Sequence, residues 1–193
     1  MLAGMCHMLG VTMGLDLDHS NVEDRRFQEL LASQDIVVET TSYFAELTTG
    51  RRVSAVKNPT IIDRLSEFYS VIPNPILVVV ARDVVAVAQR EESCGHDLLE
   101  SLHSAARRKS EIFHFVEAVA DPLVMVSYER ALASPTATAR ALSDFIFGAV
   151  NEDIVELTSR LVRSNCDMPG DVDFVREREL YDLKTSGAVD TPP

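Results

Sequence analysis

Three residues have side chains suited to a phosphorylated, aromatic ligand, and each follows a short apolar run. They are Lys57 in Val56-Lys57-Asn58-Pro59, Arg82 in Val80-Ala81-Arg82-Asp83, and Tyr128 in Val126-Ser127-Tyr128-Glu129-Arg130. A guanidinium offers a planar fork that matches two phosphate oxygens, an ammonium offers a compact charge, and a phenol offers a stacking face with a hydroxyl at its rim. Each also has a plain structural explanation. Lys57 would be a solvated strand end, Arg82-Asp83 an ion pair opening a helix, and Tyr128 a half-buried core residue with a satisfied hydroxyl. Their joint placement after successive strands favours a ligand.

Bringing these side chains to one edge requires a parallel sheet, in which ligands gather at the carboxyl ends of the strands. The continuous β-branched run Ile76-Leu77-Val78-Val79-Val80 reads as a central parallel strand covered on both faces. Leu123 to Val126 reads as a second buried strand, and Arg52 to Lys57 as a shorter one broken by Asn58-Pro59. Helical patterns lie between them at 60–70, 83–90 and 97–120, the last with a stripe at Leu98, Leu102, Ala105, Ile112, Val116 and Val119. Residues 1–9 read as a buried helix stopped by Gly10, 11–20 as a loop, and 22–33, 36–47, 135–147 and 151–163 as helices. This alternation predicts an α/β fold, a parallel sheet with helices on both faces. One domain is expected over 1–168, followed by a polar, weakly patterned and partly disordered tail over 169–193.

Three elements stand in a telling order. Lys57-Asn58-Pro59 and a helix come first, then Pro73-Asn74-Pro75 leading into Ile76-Leu77-Val78-Val79-Val80-Ala81-Arg82-Asp83 and a helix, then Ser127-Tyr128-Glu129-Arg130-Ala131-Leu132 with Ser134-Pro135. This arrangement resembles the sulfotransferase family, with its Lys-Asp-Pro-like, Arg-Asp-Pro and Tyr-Glu-Arg elements. Met1 to Val11 is similar to the family's first helix, and Glu23-Asp24 to an acidic pair of bacterial members.

The resemblance implies a P-loop-type nucleotide-binding architecture. It also implies transfer of a sulfuryl group from 3′-phosphoadenosine 5′-phosphosulfate, the co-substrate, to a hydroxyl or amine. By resemblance Arg82 would contact the 3′-phosphate and Tyr128 would lie near the adenine. Lys57 would be catalytic, steadying charge on the sulfuryl oxygens. Arg90 stands where the family has a serine for the same phosphate, and Val84 stands where it has a proline.

The family's Gly-rich phosphosulfate loop has no counterpart, because Gly4, Gly10 and Gly14 are dispersed. The chain is therefore expected to start after that loop, to keep the nucleotide end of the site, and to show weak or no turnover. Two other readings are a non-catalytic remnant or interaction module that keeps the fold, and a kinase-like P-loop enzyme with Asp83 as its magnesium ligand.

Composition narrows the classes. The net charge of −12 argues against a general nucleic-acid binder, which needs a basic face. Three cysteines without framework spacing fit a reducing cytoplasm, and no apolar run reaches membrane-spanning length. His103 and His114 share a helix face without a third ligand, so no metal is expected. Arg107-Arg108-Lys109 reads as a solvated helix face, and Phe113 and Phe115 as core. Glu39 and Glu46 read as surface residues or as candidates for a general base.

Overall fold

Apolar residues at helical spacing dominate this chain, and most of the fold is helix with short strands between. The computed structural model describes residues 1–18, 22–33, 35–59, 61–167 and 172–186. The chain divides into two compact units, Met1–Asn58 with Ser134–Pro193, and Pro59–Ala133.

The first unit opens with α1 (Leu2–Met8), buried at Leu2, Gly4, Met5, Cys6 and Met8, as its apolar composition requires. β1 (Thr12–Met13) follows. Next, β2 (Leu17–Asp18) and β3 (Glu23–Asp24) pair antiparallel, Leu17 opposite Asp24 and Asp18 opposite Glu23. The expected loop over 11–20 thus holds strand residues, and the helix expected from Val22 starts only at α2 (Arg25–Leu31). Asp24 sets that boundary. Its carboxylate caps α2 by accepting from the Phe27 N–H at 2.8 Å. α3 (Ile36–Thr48) packs Tyr43 and Phe44 on Phe27, with ring centroids 5.6 and 6.1 Å away. β4 (Ser54–Ala55) pairs parallel with β1, Thr12 opposite Ser54.

The second unit runs from a 3₁₀ turn (Ile61–Arg64) into α4 (Leu65–Tyr69) and β5 (Leu77–Ala81). It continues through α5 (Val84–Ser93), α6 (Leu98–Ala118), β6 (Leu123–Ser127) and α7 (Tyr128–Ala133). β5 and β6 pair parallel in register from Leu77 opposite Leu123 to Ala81 opposite Ser127. Asp83 and Asp97 cap α5 and α6 by accepting from Ala86 N–H and Glu100 N–H, both at 2.9 Å. The Tyr69 hydroxyl donates to Asp121, tying α4 to the turn before β6.

Beyond α7 the first unit resumes with α8 (Pro135–Phe147), begun by Pro135 and stopped by Gly148 at φ 65°. α9 (Glu152–Asp167) and α10 (Phe174–Thr185) follow. The tail expected to be weakly patterned over 169–193 therefore contains a helix over Phe174–Thr185. Asp173 caps it, accepting from Val175 and Arg176 N–H. α10 packs on α1, where Gly4 leaves room for the Phe174 ring: a Cβ there would come within 2.5 Å of it. Arg178 donates to the Met8 carbonyl at the end of the same helix.

The α/β alternation and the parallel pairing of strands are both present. Among the described residues, hydrogen bonding joins the strands into three two-stranded sheets, β1 with β4, β2 with β3, and β5 with β6, instead of the continuous sheet expected. Gly14 at φ 88° turns the chain directly after β1, so that pair stays two residues long. Nor is β5 covered on both faces: Val80 is 42 % exposed, and Ile76 just before the strand 40 %.

Candidate functional site

The register of β5 and β6 decides what their ends present. Ala81 faces Ser127, so the next residues, Arg82 and Tyr128, leave the two strands side by side at the carboxyl edge. The Arg82 guanidinium carbon lies 4.5 Å from the centroid of the Tyr128 ring, a cation–π stack. The Arg82 Nε is buried and has no hydrogen-bond acceptor among the described residues. Its donor capacity is incompletely satisfied, which is costly for a buried polar group.

Glu129 braces the edge. Its carboxylate accepts from the Asp83 N–H at 3.0 Å and from the Ser127 hydroxyl at 3.1 Å, and the Ser127 hydroxyl accepts from the Arg130 N–H at 3.2 Å. The Asp83 donation above all, helped by Ser127 and the Arg82 charge, holds the Glu129 carboxyl below its ordinary range. Ser127 and Glu129 stood in the sequence motif with no role attached. Only strand register shows that they bridge β6 to the start of α5. The Asp83 side chain is turned to cap α5 through one carboxylate oxygen.

Arg90 is less well placed. It sits in the last turn of α5 and is exposed. Six residues of helix, about 9 Å, separate it from Val84 at the strand-end side. Lys57 belongs to the other unit. It follows β4, and its ammonium is bound by the Glu23 carboxylate. Asp24 beside it is 2 % exposed and accepts from the Leu15, Asp16 and Phe27 N–H groups. Burial alone would raise the Asp24 pKa, but those backbone donations outweigh it and hold the pKa low. Glu23-Asp24 is thus a structural pair, one member neutralising Lys57 and the other ordering the turn into α2. Glu46 is clamped by Arg26 at 3.0 and 2.9 Å, and that hydrogen bonding holds its pKa down, which makes it a poor base.

The helix face 105–113 departs most from expectation. Arg107 and Arg108 are solvated as expected, yet Arg108 and the half-buried Lys109 also line a cavity of about 150 Å³ together with Arg82, Val79, Ile112 and Phe113. Phe113, read as core, is 37 % exposed there. Phe115 does pack, edge-on to Tyr69 at 5.1 Å. Sequence reasoning missed Arg108 and Lys109 although a signal existed: the apolar stripe of α6 jumps from Ala105 to Ile112, and the turn it skips holds these two cations.

Comparison with known protein families, with curated protein sequences and with solved structures yields no match. Among the described residues, no helix is long and apolar enough to cross a membrane.

Proposed function

We propose that this chain is a sulfotransferase-like α/β protein of P-loop-type architecture, and that the ends of β5 and β6 hold the nucleotide part of 3′-phosphoadenosine 5′-phosphosulfate. The observation that carries the reading is the Arg82 guanidinium stacked 4.5 Å over Tyr128 at the carboxyl ends of two paired parallel strands. The stack holds the guanidinium in one orientation, so little entropy is lost when its fork meets a phosphate. The Nε–H is buried without an acceptor, and the terminal nitrogens of the fork would meet that phosphate. The Tyr128 ring, half-buried, would supply a stacking surface for adenine. The co-substrate would supply the activated sulfuryl group, which passes to a hydroxyl or amine acceptor. The chain's own part here is to bind and orient. The compartment we propose is a reducing cytoplasm. Burial pushes the Cys6 thiol up to about 12, and Cys94 is exposed and free.

A second reading, a nucleotide-binding protein without transfer, is favoured by the Lys57–Glu23 pair, which occupies the one ammonium assigned to charge stabilisation. The kinase-like reading is weakened by Asp83, whose carboxylate caps α5. Calorimetric titration with adenosine 3′,5′-bisphosphate, adenosine 5′-monophosphate and magnesium ATP tests the assignment. The expected order is micromolar binding of the bisphosphate, with the monophosphate at least about tenfold weaker for want of one charge-assisted phosphate contact. A preference for magnesium ATP, or no saturable binding of the bisphosphate, overturns the reading.

A further inference from the structure

The face of α6 beside β5 holds two cations where its own periodicity calls for apolar residues, Arg108 exposed and Lys109 half-buried. Ala105, Arg108, Lys109, Ile112 and Phe113 recur at spacings of three and four, so they share one side of the helix, and all five line the same cavity beside β5. Leu or Val at 108 and 109 would continue the stripe and bury more apolar surface. Arg82 adds a third cation to the lining, and no carboxylate is part of it. The nearest acid to Arg108 is Glu91, at 3.9 Å, the outer limit of an ion pair. Lys109 is half-buried and has no ion pair among the described residues. In a chain of net charge −12, three cations converging on an apolar cavity create a local field opposite to the global one.

We infer that this cavity binds a small amphiphilic anion, a single apolar ring or short chain bearing one carboxylate or sulfate. The headgroup lies against Lys109 and Arg108, and the body lies against Val79, Ile112 and Phe113. The cavity, about 150 Å³, suits one ring with its headgroup and is too small for a nucleotide. Charge complementarity selects the occupant: the apolar wall alone would take neutral molecules, and the cations alone would take free phosphate. This site is separate from the proposed nucleotide site at the Tyr128 ring, which is not part of the lining, although Arg82 borders both.

The test is titration of the full chain with phenyl sulfate, its neutral analogue phenol, and inorganic sulfate, followed by Phe113 line shifts or calorimetry. Phenyl sulfate is expected to bind at least about tenfold more tightly than either control, and Lys109→Met and Arg108→Met are each expected to weaken it about tenfold. Both variants restore the apolar stripe, so their Tm is expected to equal or exceed that of the parent, which a purely structural role for the cations would not allow. Neither replaces Arg82 or Tyr128, and adenosine 3′,5′-bisphosphate binding is expected to persist in both. Failure here is thereby distinguishable from failure of the nucleotide site. Equal binding of phenol and phenyl sulfate, or unchanged phenyl sulfate binding in Lys109→Met, overturns the inference. So does a cavity filled by an acidic segment of a second copy, seen as concentration-dependent dimerisation without phenyl sulfate binding.

Discussion

The two units end their parallel strand pairs in opposite ways. Past β4 of the first unit, Lys57 is neutralised by Glu23, and the neighbouring Asp24 carboxylate collects three backbone N–H groups. Past β5 and β6 of the second unit, Arg82 has a ring beneath it and an unpaired buried donor. Their interiors differ in the same direction. Phe27, Met5, Met8, Leu47, Leu142, Val155 and Val162 of the first unit are almost fully buried, although Val37 and Val38 are exposed; the second unit buries Phe68, Ala88 and Ala131 but exposes Ile76, Val80, Leu99, Phe113 and Met125. At these two strand ends, a charge already partnered belongs to the scaffold, while one without an acceptor belongs to a surface that can meet something else. The type of residue at a strand end therefore says little by itself. What matters is whether the fold has already given it a partner.

The contrast can be broken most forcefully at Asp24. Asp24→Ala leaves three backbone donors without their acceptor and uncaps α2, and a loss of about 3 kcal/mol is expected in denaturant unfolding. A loss under about 1 kcal/mol would mean that the first unit is not closed around this carboxylate. Gly4→Ala comes next: its Cβ meets the Phe174 ring, and overpacking is expected to cost about 2 kcal/mol and to release α10, visible as faster amide exchange over 174–185.

Acid sharpens the comparison further. The folded pKa of Asp24 is depressed, so its contribution is present above the unfolded value of about 4 and disappears as pH falls through the lower folded value. The Tm difference between the parent and Asp24→Asn is therefore expected to narrow between about pH 6 and about pH 3; a constant difference would exclude the charge as its source. The smallest effect is expected from Lys57→Gln. Its partly exposed ion pair contributes within about 1 kcal/mol, and adenosine 3′,5′-bisphosphate binding should be unchanged within about twofold. A large loss of nucleotide binding would return Lys57 to the site.

Continuous apolar runs made β5 and β6 readable within a residue or two, and Pro135 with Gly148 marked both ends of α8. α10 was hidden because its apolar residues, Phe174, Val175, Leu180 and Leu183, form no stripe; only the first two are buried, and Asp173 was the one available start signal. β2 and β3 were invisible for another reason: two-residue strands carry no periodicity. At the candidate site, the pairing of Arg82 with Tyr128 was legible because both directly follow strands of matching length. The Glu23 partner of Lys57 lies 34 residues away in sequence, and no local pattern announces it.

The central claim is that Arg82 and Tyr128 act as one unit on a nucleotide. The most direct measurement is a double-mutant cycle for adenosine 3′,5′-bisphosphate binding with Arg82→Ala, Tyr128→Leu and the pair. Each single variant is expected to weaken binding at least about tenfold, with a coupling of about 1 kcal/mol because removing the ring frees the guanidinium it orients. Additive losses, or parent-like affinity in Arg82→Ala, would contradict the account.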